Sequence, residues 1–313
     1  MTQPTTFSNF EMLSSALTGT AAEASEGASL EVAGARATQG DSQRPRISVV
    51  AIARNEERDL PGFLESFLPL ADELVLVDDG STDRTCEIAE GAGARLRLVR
   101  APRAPGEGFC HQRNKGIALA TGDWLLHADI DDRAPKALTA EISNAVRARD
   151  VDVYEFHFVH FFLNRRMRFG GAQTWSKPWL VRKGFGTFTG LVHEQLQLPP
   201  SARVQRLQSR MWHLGDDDFM ERLQKNLTYS ALEVERLIEQ GNPRATLLGA
   251  CWGGARAFFD TYLLRAGFRD GRAGLFWALY VWTGTINRAL LAYDRLHPAS
   301  REELERRLRH GEG

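Results

Sequence analysis

Cysteine is scarce in this sequence. Cys86, Cys110 and Cys251 lie far apart and are odd in number, which argues against both a disulfide framework and a zinc-binding spacing. A reducing compartment is the simplest expectation. An excess of one charge is also missing, because 39 Lys and Arg stand against 40 Asp and Glu. Bulk charge therefore carries no nucleic-acid footprint, and no nucleic-acid partner is expected. The N-terminus has no charged stretch leading into an apolar one, so no secretory signal is expected and the cytoplasm is the expected location. Large apolar residues are few in residues 1–44, which are rich in Ser, Thr, Ala and Gly; a disordered tail is expected, since little surface can be buried to offset ordering entropy. Long apolar runs are absent as well: from Ala273 about 14 residues pass before Asn287-Arg288, against the ~20 that a spanning helix needs.

What is present is an alternation of strand and helix patterns. Ile47-Ser48-Val49-Val50-Ala51-Ile52 reads as a strand buried on both faces, followed by a loop at Asn55-Glu56-Glu57. Leu60, Phe63, Leu64, Phe67 and Leu68 recur at helical spacing, and Leu74 to Val77 forms a second strand that ends in Asp78-Asp79-Gly80. A helix is expected to start near Ser81 or Asp83 and to stop at Gly91 or Gly93, before strand Leu96 to Val99. A helix over 109–120, a strand over 123–128 and a helix opened by Pro135 follow, and Val151 to Val159 alternates as a further strand. This order predicts an α/β fold with a doubly wound, mainly parallel sheet over 45–215. Ligands in such sheets sit at the carboxyl ends of strands, where Asp78, Asp79, Asp129 and Asp131 fall. From 216 to 313 the pattern is helical, beginning with an amphipathic stripe of Met220, Leu223, Leu227, Ala231, Val234 and Ile238.

The stretch Ala128-Asp129-Ile130-Asp131-Asp132 loads the end of a buried strand with acids, which repel one another unless a cation or proton donor offsets them. Asp129 and Asp131, at i and i+2, share one side of an extended chain and suit Mn2+ or Mg2+; a solvated turn with helix-capping acids is the other reading. Asp78 and Asp79 can accept hydrogen bonds from base or ribose groups, or simply build a turn. Gln112-Arg113-Asn114-Lys115 offers cations and amides suited to a diphosphate, or a charged helix face.

In order along the chain, "ISVVAIARNEERDLPGFLESF", "DELVLVDDGSTDRTCEIAEGAGA", "HQRNKGIALATGDWLLHADIDDR" and "LVHEQL" resemble the successive motifs of family 2 glycosyltransferases with the GT-A fold, over roughly 47–230. "RAGFRDGRAGLFWALYVW" is similar to the C-terminal helical segment of bacterial lipopolysaccharide-core β-glucosyltransferases. The resemblance implies an inverting, metal-dependent transferase that moves a sugar from a nucleotide-sugar, typically a UDP-hexose, to a glycan, lipid-linked or cell-envelope acceptor. It implies donor contacts at Asn55, Glu56, Asp78, Asp79, Arg113, Asn114 and Asp129, Mn2+ or Mg2+ on Asp129 and Asp131, and Glu194 as the base that deprotonates the acceptor. His193 and His213 are candidates for the diphosphate, with a core role open for His213. Glu194 has a structural alternative too, as the partner of His193 or Arg182.

The chain departs from the family at Gly170-Gly171-Ala172-Gln173-Thr174-Trp175-Ser176, where relatives often carry an acid. Two other classes stay in view: a HAD-like phosphotransferase with Asp129 as nucleophile, which expects Thr or Val where Arg133 stands, and a silent nucleotide-sugar binder. Finally, residues 244–297 hold seven arginines (Arg244, Arg256, Arg265, Arg269, Arg272, Arg288, Arg295) against Asp260, Asp270 and Asp294, beside Trp252, Trp277 and Trp282. Such a basic, aromatic-rich helical region is expected to lie peripherally on the inner face of the cytoplasmic membrane, or to pack on the catalytic domain or another subunit.

Overall fold

The structure, a computed structural model, describes residues 44–104, 106–190, 194–215, 218–239, 241, 247–298 and 300–310. The expected tail, apart from Arg44, lies outside these. Chain contacts divide the molecule into two compact units. The first comprises the described residues up to Phe158 together with Thr174–His213; the second comprises Val159–Gln173 and the residues from Leu214 onward.

In the first unit, β1 (Ile47–Ala53) is buried at all seven positions and pairs in parallel with β2 (Glu73–Asp78) and β4 (Trp124–His127). β3 (Leu96–Arg100) extends the sheet beyond β2, also in parallel. Strands covered on both faces need continuous apolar runs, and Ile47 to Ala53 supplies one. Register then aligns the chemistry: Ala53 pairs with Asp78 and Val50 with His127, so the loops carrying Asn55, Asp78 and Asp129 leave the same edge. Between these strands run α1 (Leu60–Phe67), α2 (Thr85–Gly91) and α3 (Phe109–Leu119). α1 buries Leu60, Phe63, Leu64 and Phe67, the stripe read from the sequence. α3 instead buries Cys110, Gln112, Arg113 and Gly116. It lies so close to the sheet that a Cβ on Gly116 would meet Val50 Cγ1 at 2.4 Å.

After β5 (Asp132–Arg133) and α4 (Lys136–Ala145), the sheet turns antiparallel. β6 (Val153–Phe162) pairs with β8 (Ser176–Arg182), which pairs with β4; β7 (Arg165–Arg166) is a short antiparallel partner of β6. Among the described residues the strand order is β3-β2-β1-β4-β8-β6, continued by β12 (Met211–His213) and β5, with β11 (Val204–Arg206) beside β6. β9 (Thr187–Thr189) and β10 (Gln195–Gln197) form a separate hairpin. The mainly parallel sheet with a C-terminal helical region is as expected. One local expectation narrows and one changes. α2 starts at Thr85, beside Asp83 rather than Ser81 of the two expected starts; Asp83 accepts from Thr85 N at 2.9 Å and from Glu57 N at 3.1 Å, tying two loops together. β6 does not alternate: Val153, Tyr154, Phe156, Phe158, Val159, His160 and Phe162 are all buried.

The second unit holds α5 (Phe219–Glu239), α6 (Leu247–Phe259) running into a π-helical turn (Asp260–Leu264), a 3-10 turn (Gly267–Asp270), α7 (Gly271–Leu296) and α8 (Arg301–Arg309). α6 and α7 touch closely: a Cβ on Gly254 would overlap Trp282 at 2.0 Å. α5 corrects part of its sequence reading. Its buried residues are Arg222, Lys225, Asn226, Ser230 and Val234; of the expected stripe Val234 is thus buried and Leu223, Ala231 and Ile238 are half-buried, while Met220 and Leu227 face solvent. No helix among the described residues is long and apolar enough to cross a membrane.

Candidate active site

The acids at the end of β4 are not on an extended chain. The backbone turns at Ile130-Asp131: Asp132 N donates to Asp129 O at 3.0 Å, and Asp129 N donates to Asp132 Oδ2 at 2.9 Å. The expected alignment of Asp129 with Asp131 therefore does not hold. The turn joins Asp129 with Asp132, and antiparallel pairing of β12 with β5 brings His213 opposite Asp132. One ligand atom from each of Asp129, Asp132 and His213 lies within 4.8 Å of the others, all three residues being buried. Asp131 approaches His213 Nδ1 at 3.5 Å.

Three cations offset these acids. Arg113, fully buried on α3, donates from one terminal nitrogen to Asp129 Oδ1 at 2.6 Å and from Nε to Glu194 Oε1 at 2.8 Å. Burial works against its charge, but Asp129 and Glu194 more than restore it and hold its pKa above the usual value. Lys177 Nζ stands 3.7 Å from Asp129 Oδ2. Residues at i and i+2 share a face of β8, so Trp175 and Trp179 flank this ammonium at 4.2 and 3.7 Å from their ring centroids. Burial pushes Lys177 down, against the pull of Asp129. The third cation is His213, whose Nδ1 donates to Asp132 Oδ1 at 2.9 Å. Burial alone would lower its pKa, but the charge on Asp131 and the bond to Asp132 raise it to about 9.

The carboxylates divide accordingly. Burial opposes ionisation of Asp129, yet Arg113 and Lys177 bring it down to about 2. Burial dominates at Asp132 and raises it, against the pull of His213. Burial likewise raises Glu194, with Arg113 opposing. Glu194 thus has a charged partner, but it is Arg113 rather than Arg182, which reaches the carbonyls of Ala148 and Val151.

The other expected residues are placed as follows. Asp78 accepts from Gly80 N at 3.1 Å and Ser81 N at 3.2 Å, closing its own turn. Asp79 accepts from Arg103 N, Arg103 Nε and Gln112 Nε2 at 2.7, 2.6 and 2.8 Å. Asn55, at φ +58°, takes Thr82 N on its Oδ1 at 2.8 Å, and buried Glu56 donates its N–H to Thr85 Oγ1 at 2.7 Å. These contacts join the β1 and β2 loops into one rim. The amide of Asn114 bonds Phe188 O and Phe188 N at 2.8 and 2.9 Å, which fastens α3 to β9. His193 lies outside the described residues.

Sequence reasoning missed Asp132 and Lys177 as site residues. A lysine between two tryptophans at alternating strand positions was the available signal for Lys177. It missed His127 too, a buried imidazole that stands edge-on to Phe188 with ring centroids 4.9 Å apart. Burial and the charge of Arg113 lower its pKa to about 3, which keeps it neutral.

The two carboxylates are donors that suit Mn2+ or Mg2+, and the imidazole beside them could add a ligand only when neutral. Asp129 Oδ2 supports the fit, being buried with no hydrogen-bond partner among the described residues. Residues 48–195 match the family model described as Glycosyl transferase family 2. An uncharacterized glycosyltransferase of Rickettsia felis is 25% identical over 246 residues, 73% of this chain and 83% of that protein. Among solved structures, S. aureus TarS 1-349 is 15% identical with a TM-score of 0.41, covering 82% of this chain and 93% of that one. Glucosyl-3-phosphoglycerate synthase from Mycobacterium tuberculosis, solved with Mn2+ and UDP-glucose, is 27% identical with a TM-score of 0.31, covering 36% of this chain and 44% of that one. The stretch that carries the motifs on the β1, β2 and β4 edges, residues 48–195, is the one that matches glycosyl transferase family 2.

Proposed function

We propose that this chain is an inverting, metal-dependent glycosyltransferase that moves a hexose from a UDP-sugar to a glycan, lipid-linked or cell-envelope acceptor. The carrying observation is the Arg113 guanidinium, which holds Asp129 and Glu194 at once, at 2.6 and 2.8 Å. One rigid, planar group thereby sets the donor-side carboxylate and the candidate base side by side. Asp129 and Asp132 would hold the cation, which His213 could join only on giving up its proton, with Asp131 beside His213; Asp78 and Asp79, with Asn55 and Glu56 on the rim, would meet the nucleoside. Bound Mn2+ or Mg2+ would neutralise charge growing on the departing diphosphate. Lys177 adds a fixed positive charge beside Asp129. Glu194 takes the proton of the attacking hydroxyl, a role suited by a carboxylate raised toward neutrality and held in place by a hydrogen bond.

A thermal-shift screen of UDP-, GDP- and dTDP-sugars, with and without Mn2+, tests this reading, because selective ligands stabilise by mass action. UDP-sugars should raise Tm only with Mn2+, and Asp129→Asn should abolish that dependence. Equal responses to all nucleotides, or none, would sink the proposal. Binding without transfer or hydrolysis would identify a nucleotide-sugar binder instead.

A further inference from the structure

The second unit carries an exposed apolar surface. The end of α6, the connection to α7 and the first turns of α7 present Phe259, Leu263, Leu264, Phe268 and Phe276 to solvent, with Leu264 75% exposed. Water-facing side chains of this size in one 18-residue stretch are unusual for a surface with no partner. Their neighbours are cationic: Arg269 and Arg272 are exposed in the same stretch. Its two acids are both paired, Asp260 with Arg265 Nε at 2.6 Å and Asp270 with the backbone N–H groups of Arg168 and Phe169 at 2.9 and 2.8 Å.

That last contact brings in a second, distant piece of chain. The β6–β7 hairpin exposes Arg165, Arg166 and Arg168, and Asp270 fastens it to the α6–α7 connection, where Arg269 also stacks over Phe169 at 4.3 Å. Five exposed arginines from two segments therefore gather beside protruding Leu and Phe side chains. The polar groups of α7 that would oppose contact with lipid face α5: Asn287 Nδ2 lies 3.3 Å from Asn226 Oδ1, and Arg288 lies 3.5 Å from Glu233.

We propose that the α6–α7 connection and the β6–β7 hairpin form one docking surface for an anionic phospholipid bilayer, with Leu263, Leu264 and Phe268 entering the headgroup region and the arginines meeting lipid phosphates. Apolar anchors with surrounding cations are what interfacial binding requires, whereas apolar protrusions gain nothing against a fully hydrated polyanion. The surface docks without spanning, since no described helix is long and apolar enough to cross.

Flotation of the full chain with vesicles of phosphatidylcholine alone, or with about a third phosphatidylglycerol, tests the proposal. The chain should float with the anionic vesicles and lose binding as salt rises. Leu264→Glu with Phe268→Glu should lower the floated fraction ~tenfold or more, and Arg166→Glu with Arg272→Glu should abolish the preference for anionic lipid. Nucleotide-sugar thermal shifts should be unchanged in both variants, which separates this result from failure of the transferase reading. A chain that stays at the bottom, or variants that float like the parent, overturns the proposal. So does a solution dimer that Leu264→Glu with Phe268→Glu dissociates, because the surface would then belong to a second copy.

Discussion

The two units distribute polarity in opposite ways. The first buries charge: Arg113, Asp129, Asp131, Asp132 and His213 are all inside, and among the described residues only Val204 and Trp212 leave a large apolar side chain exposed. The second exposes apolar surface, with Met220, Trp252, Leu264, Phe268 and Tyr293 outside while Arg222, Lys225 and Asn226 are buried. Burying a charge is costly unless it is paired, and exposing large apolar groups forgoes their transfer free energy. Neither pattern serves stability alone. In the proposed reading, the first pattern is where a charged substrate would bind and the second where the chain would meet an apolar phase.

The largest effect should come from breaking the buried network. Arg113→Met leaves Asp129 and Glu194 without their shared partner, and unfolding titrations should show a loss of about 3–5 kcal/mol. A loss no greater than that of a surface change would mean that the acids relax to solvent. Next comes Glu194→Gln, which keeps shape but cannot accept a proton. Transfer should fall roughly a hundredfold or more with donor affinity kept; near-normal transfer would remove Glu194 as the base.

On the other side of the comparison, Leu264→Gln should change unfolding free energy by no more than about 0.5 kcal/mol while weakening vesicle binding. A large destabilisation would show that the exposed face is packed in solution.

The smallest expected effect concerns pH. Asp152 accepts from Arg203 N, Nε and a terminal nitrogen at 3.0, 2.9 and 2.9 Å, bonds to Arg203 that lower its pKa against the opposing effect of burial. A carboxyl lowered on folding stabilises above its unfolded value and loses that contribution as pH falls through the folded value. Asp152→Asn should therefore flatten the decline in Tm below about pH 4 relative to the parent, and an unaltered slope would assign that decline to other carboxyls.

Much of the first unit was readable because its strands are covered on both faces, so Ile47 to Ala53 and Glu73 to Asp78 had to be near-continuous apolar runs closing on turn residues. Glu194 was legible only through motif resemblance, and its partner was not, since Arg113 lies 81 positions away. The bonds of Asn114 to Phe188 were not legible, because an amide that completes a backbone pair looks the same in sequence as one that awaits a ligand. On α5, Met220 and Leu227 were misread because periodicity reports which residues share a face, not how far each is covered.

Composition and local order thus determined the fold class, the strand ends that carry acids, and the cationic, aromatic character of the helical region, because these depend on chain-local burial patterns and spacing. Tertiary structure alone decided that Asp132 and His213 join Asp129, that Lys177 sits between Trp175 and Trp179 beside it, and that the backbone of Arg168 meets Asp270. Such groupings arise from strand pairing and loop packing between distant segments. A few ångströms of register decide them, and no spacing along the chain encodes that distance.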